Sequence, residues 1–227
     1  SRVGGNASGL LGSVRRILAL RTFIKDQEPD FVISLLTVSN IASMLACIGL
    51  TPKLYISERN YPPFRTVGAV MLRTISPLIR RVDAVIAQTN ESKLWFRKAY
   101  PNVWCDTIPN PVMYPLASST PVVDPSNYVD AGSKIFLCAG RLVEQKQFHI
   151  AIMAFKHVVE SDSTAKLVIL GEGHLRESLS SLIESLSLVG KVFLLGKVGN
   201  MADWYERASV FVLCSSHEGF PNVLLEA

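Results

Sequence analysis

Two glutamates near the carboxyl end, Glu218 and Glu226, stand eight positions apart in Cys214-Ser-Ser-His-Glu-Gly-Phe-Pro-Asn-Val-Leu-Leu-Glu226, which reads as a strand, a glycine turn and a helix start. A mostly helical path between them spans roughly 12 Å at 1.5 Å per residue. Carboxylates that flank one glycosidic bond sit at roughly 5–9.5 Å, so this spacing suits two grips on one elongated ligand better than a hydrolytic pair. A solvated helix glutamate is the alternative for Glu226. Pro221 is placed as a first helical residue, where its missing N–H costs nothing, and the free N–H groups beside it form an end suited to a phosphorylated ligand.

A second cluster lies upstream in Ala139-Gly-Arg-Leu-Val-Glu-Gln-Lys146. Arg141 follows a strand pattern, and Lys146 comes just before a helix whose apolar positions Phe148, Ala151, Ala154, Phe155 and Val158 keep helical spacing. A lysine at a helix start opposes the positive end of the dipole, and an anion bound between them removes that penalty. An arginine grips phosphate with two parallel N–H bonds and a lysine adds a mobile charge, so the pair suits a leaving diphosphate. Two ordinary surface cations are the alternative.

These residues need strands that end beside one another. Short Val/Ile-rich runs alternate with helix-period stretches, the pattern of α/β architecture with two Rossmann-like, doubly wound parallel sheets. The first series places strands at 30–35, 53–57, 83–88 and 106–108, with helices at 13–27, 39–48, 67–81 and 91–99. The second places strands at 134–139, 166–170, 191–195 and 210–214, with helices at 148–160, 174–187, 201–207 and one starting at Pro221. Five prolines between Pro109 and Pro125 forbid a continuous helix or central strand. Residues 1–113 are expected as one domain, 114–132 as a linker and 133–227 as a second domain, with ligands in a cleft beyond the carboxyl ends of the strands. Both sheets read as cut short at the chain ends, and the chain reads as a fragment: no initiator Met opens it and a helix pattern is running where it stops.

With 227 residues and 48% hydrophobic content, the chain can bury a substantial core. The net charge of +4 conceals an asymmetry: up to Met113 there are 14 Lys plus Arg against 7 Asp plus Glu, and beyond it 9 against 12. A basic first half suits an anionic membrane surface or a lipid pyrophosphate, and the basic helical stretches 14–25 and 64–81 could rest on anionic lipid. Packing of their apolar sides on the sheet is the alternative. Nucleic acid is excluded as a partner because no aromatic and basic interleaving of a recognised module is present. No apolar run reaches the roughly 18 residues that span a bilayer. Cys47, Cys105, Cys138 and Cys214 are widely spaced and read as reduced thiols, in keeping with a cytoplasmic protein.

Glu218-Gly-Phe-Pro-Asn-Val-Leu-Leu-Glu-Ala227 and Ala139-Gly-Arg-Leu-Val-Glu-Gln-Lys146 together resemble the family 4 retaining glycosyltransferases of GT-B fold. The resemblance covers most of the chain; the family's usual first strand, its glycine-rich acceptor loop and its helices beyond Glu226 are missing. It implies transfer of a sugar, a hexose or N-acetylhexosamine, from a nucleotide diphosphate sugar, most simply a uridine one, to a hydroxyl with retention. Arg141, Lys146 and Glu218 become the catalytic set, with Glu218 near the donor sugar hydroxyls. Gly140, Gly196, Lys197, Gly219, Phe220, Pro221, Asn222 and Glu226 become donor-binding, with Gly196 and Lys197 near the base and Glu226 on the ribose. No cofactor or metal is implied: no Asp-x-Asp triplet is present, and Arg141 and Lys146 would carry the positive charge. Ile56-Ser-Glu-Arg-Asn60 narrows the resemblance to bacterial enzymes that add N-acetylhexosamines such as N-acetylgalactosamine to polyprenyl-diphosphate-linked glycans.

Glu58, Arg59 and Asn60 follow a strand on the acceptor side, where Glu58 would contact the acceptor or, alternatively, cap its own loop or pair with Arg59. His149 and His217 are open to structural or catalytic readings, and the glycine turns at 171–173 and 196–198 to plain turns. A nucleotide-sugar epimerase and a nucleotide-binding fragment without catalysis are the competing functions.

Overall fold

The computed structural model describes residues 10–59 and 76–227. They belong to two compact units, Ser1–Asn110 and Pro111–Ala227. Asn60 and most of the stretch expected as a helix at 67–81 lie outside the described residues; residues 76–79 are helical.

The first unit runs α1 (Leu10–Gln27), β1 (Phe31–Leu35), α2 (Thr37–Ala46), β2 (Lys53–Ser57), β3 (Ala84–Ala87), α3 (Asn90–Ala99) and β4 (Trp104–Thr107). Its four strands are parallel and stand in chain order, β1-β2-β3-β4. Leu54 and Ile56 of β2, Val85 and Ala87 of β3 and Cys105 of β4 pack with Met44 of α2 and Phe96 of α3. Alternate apolar side chains of each strand thus meet one helical layer. Thr89 caps α3, its hydroxyl accepting from the Ser92 N–H at 3.2 Å, a contact of about 1 kcal/mol.

The second unit runs β5 (Ile135–Ala139), α4 (Phe148–Ser161), β6 (Lys166–Leu170), α5 (Arg176–Ser185), β7 (Val192–Gly196), α6 (Met201–Arg207), β8 (Val210–Phe211) and α7 (Asn222–Glu226). Its parallel order is β7-β6-β5-β8, so the winding reverses between β5 and β8. Both faces are covered. Cys138, Leu167 and Ile169 pack under Ile152, Phe155, Leu179 and Ile183, while Leu137, Ala139, Val168 and Leu170 pack with the fully buried Trp204. Double coverage is why β6, Lys166-Leu-Val-Ile-Leu170, is apolar at every position after the first.

The proline-rich segment is bound to this second unit. Ser119 N–H donates to the Gly199 carbonyl at 2.9 Å and Gly199 N–H to Pro121 at 2.7 Å. Asn200 exchanges two hydrogen bonds with the Val123 backbone, and the Trp204 indole N–H donates to Val123 at 3.0 Å. Where prolines supply no amide donors, side chains of α6 and its approach hold the chain.

Two of the differences from expectation bear on the site. β8 pairs only at Val210 and Phe211, because the chain beyond Val212 turns away to serve the following loop. Pro221 is extended (φ −77°, ψ 90°) and caps α7 instead of starting it, its carbonyl accepting from Leu224 N–H at 3.0 Å. Among the described residues no helix is long and apolar enough to cross a membrane.

Candidate active site

The winding reverses between β5 and β8, and the carboxyl ends of strands at such a reversal are where open parallel sheets hold ligands. After β5 the chain passes Gly140 and Arg141, makes a 3-10 turn at Glu144–Lys146, and enters α4 through Gln147 in the left-handed region at φ 50°. That reversal returns the Lys146 side chain over the start of the loop. Its Cε lies 3.1 Å from where a β-carbon on Gly140 would stand, and a larger residue at 140 would displace it.

After β8 comes the loop carrying His217 and Glu218, and five contacts stitch it to the first. Ser216 N–H donates to the Gln145 carbonyl at 2.8 Å and Ser216 Oγ to the same oxygen at 3.3 Å. Gln145 Nε2 donates to the His217 carbonyl at 2.8 Å and Cys214 Sγ to the Lys146 carbonyl at 3.0 Å. Lys146 Nζ stands 2.6 Å from Glu218 Oε1, both side chains being four-fifths or more buried. Two motifs 72 residues apart thus meet, with Lys146 of one in direct contact with Glu218 of the other.

Beside it opens a cavity of about 410 Å³, a size suited to a small ligand, whose lining includes Gly140, Arg141, Glu172, Lys197, Val223 and Glu226. Arg141 and Lys197 are both exposed. Gly196, just before Lys197, stands at φ 78°, a backbone conformation that favours glycine. Arg176 braces this corner, donating to Glu172 at 3.3 Å and to the Leu194 carbonyl at 2.9 Å. Gly219, Phe220 and Pro221 form the half-buried connection to α7 and Asn222 opens that helix; none of these four lines the cavity.

Tyr205 and Glu172 were not marked by the sequence as site residues. Tyr205 Oη donates to Glu226 Oε2 at 3.2 Å. Burial, then the Glu226 charge and this hydrogen bond, push the phenol pKa up, so the hydroxyl stays a donor. Nothing in the sequence spacing pairs α6 with a residue 21 positions on; Glu172 did carry a signal, standing between two glycines after β6.

On the first unit Glu58 is 4% exposed and its carboxylate accepts from Thr37 Oγ1 at 2.9 Å. Arg59 hydrogen-bonds Asn110. His149 is exposed on α4, and His217 Nδ1 lies 2.9 Å from Ser216 Oγ. All four cysteines are free thiols; Cys105 and Cys138 are buried and the other two partly so.

Fold and site together define an α/β protein with a ligand cavity at a sheet switch point. Residues 123–227 match the model of the glycosyl transferases group 1 family. Over 94% of its length the chain is 31% identical to an alpha-1,4-N-acetyl-D-galactosaminyltransferase of Campylobacter jejuni whose name specifies a diphospho-undecaprenol-linked acceptor, of which it covers 56%. It is 27% identical, over 94% of its length, to an uncharacterized glycosyltransferase of Methanocaldococcus jannaschii, of which it covers 57%. The solved structure of Anabaena HepE with UDP and glucose matches 98% of the chain at 19% identity and TM-score 0.78, with 62% of HepE covered, and shares its GT-B fold. The chain thus spans little more than half the length of these curated relatives.

Proposed function

We propose that this protein is a retaining, metal-independent glycosyltransferase that moves a hexose or N-acetylhexosamine from a UDP-linked donor to a hydroxyl of a lipid-linked or polysaccharide acceptor. The observation that carries the reading is the convergence of Gly140, Arg141, Lys197 and Glu226 on one cavity, with Lys146 folded over Gly140 beside it. Arg141 and Lys146 hold the diphosphate and stabilise the negative charge that grows on it as the glycosidic bond breaks. The leaving phosphate oxygen takes the proton of the attacking hydroxyl on the same face, which gives retention. Glu218 orients the sugar, Glu226 the ribose, and Gly196 and Lys197 approach the base. Gly219, Phe220, Pro221 and Asn222 bring backbone to the sugar and phosphate.

Acceptor contact falls to Glu58, Arg59 and Asn60. The Campylobacter relative supports a polyprenyl-diphosphate glycan as acceptor. Exposed Leu11, Val14 and Leu18 beside Arg15 and Arg16 on α1 support peripheral association with an anionic cytoplasmic membrane face. The test incubates the full-length protein with several nucleotide sugars and a lipid-linked acceptor and measures released nucleoside diphosphate. One donor is turned over, and Arg141→Ala and Glu218→Ala each lower the rate by about a hundredfold or more. Intact turnover in both variants overturns the assignment.

A further inference from the structure

We infer that the Lys146–Glu218 ion pair makes the site discriminate against a bare nucleoside diphosphate in favour of one that carries a sugar. The inference rests on the donor-site reading above and deepens it. The ammonium and carboxylate are 2.6 Å apart with side chains 15% and 20% exposed, so solvent and salt screen them weakly. The hydrogen bonds of Ser216 and His217 to Gln145 tie the loop of Glu218 to the loop of Lys146 and keep the two residues together. A diphosphate that reaches Lys146 therefore meets a fixed negative charge as well.

An ammonium has three N–H donors, so Lys146 can serve the carboxylate and a phosphate oxygen together, but Glu218 opposes every phosphate charge brought near it. A bare diphosphate gives Glu218 nothing in return. A sugar on the terminal phosphate presents hydroxyl donors at the same place, and these hydrogen-bond the carboxylate and offset the repulsion. Glu226, which lines the cavity, receives a hydrogen bond from the Tyr205 phenol and serves as an internal comparison.

The test is calorimetric titration of the full chain with UDP, GDP and ADP and with their glucose conjugates. For the diphosphate that the unmodified protein binds, Glu218→Gln binds on the order of tenfold tighter, one charge removed at short range. The matching glucose conjugate gains less than about threefold, since the lost carboxylate contact offsets the gain. Lys146→Met binds the diphosphate more weakly, since it loses a cation at the phosphate. Glu218→Ser repeats the comparison if the amide variant does not fold. Equal or weaker diphosphate binding by Glu218→Gln overturns the inference, as does an equal gain from Glu226→Gln. Failure of the unmodified protein to bind any of the three diphosphates or of their glucose conjugates overturns the donor-site reading, and this inference with it.

Discussion

The aliphatic stem of Lys146 crosses Gly140, its Cε 3.1 Å from the position a β-carbon on residue 140 would take. The glycine is therefore part of the path by which a cation six residues on returns to the mouth of β5. Gly140→Ala moves that stem while leaving the sheet hydrogen bond from Gly140 N–H to Leu170 in place. The expected outcome is a small loss of stability, about 1 kcal/mol, with a fivefold to twentyfold weaker grip on a nucleoside diphosphate. Urea unfolding and calorimetric titration separate the two effects; a stability loss with unaltered affinity contradicts this role for Lys146.

Tyr205 holds Glu226 through one hydrogen bond at 3.2 Å and stacks edge-on against Phe211. Tyr205→Phe keeps the ring packing and removes only the hydroxyl. We expect the donor KM to rise by about threefold to tenfold, the worth of one hydrogen bond, with kcat within about twofold. A donor lacking the ribose hydroxyl partner of Glu226 should be insensitive to the substitution. Steady-state kinetics with ribose and 2′-deoxyribose donors read this directly.

Asp162, at the end of α4, accepts from Lys134 Nζ at 2.9 Å and from Thr164 N–H and Oγ1 at 2.9 and 2.6 Å. The Lys134 contact first, then those of Thr164, hold its carboxyl well below the usual range. A carboxyl with a depressed folded pKa stabilises the fold above its unfolded value of about 4, and that contribution disappears as pH falls through the folded value. Asp162→Asn should therefore lower the urea midpoint at pH 6 and differ less from the unmodified protein at pH 3. A gap that widens on acidification contradicts the assignment.

The strands at 53–57 and 166–170 match the observed β2 and β6 residue for residue, the second because burial on both faces demanded an unbroken apolar run. The end of β8 was not, because Val212, Leu213 and Cys214 are as apolar as a strand while Cys214 is turned to the Lys146 carbonyl. Apolar content states that a segment is buried, not what it pairs with. The two motifs at 139–146 and 218–226 were legible as residue types in order. Their direct contact was not, since it depends on β5 and β8 being neighbours, a fact of topology between segments 72 residues apart. Tyr205 was hidden for the same reason, its place in α6 looking like ordinary helix patterning.

The central claim is that the cations at the mouth of β5 grip a nucleotide by its phosphates, and Arg141, exposed at the cavity, tests it most directly. The measurement is the affinity of the unmodified protein and of Arg141→Ala for UDP and for uridine, titrated under one salt condition. The account predicts that the substitution weakens UDP by at least about tenfold, as loss of a charge-assisted bidentate contact requires, and leaves uridine unchanged. Equal effects on the two ligands, or none on UDP, would contradict it.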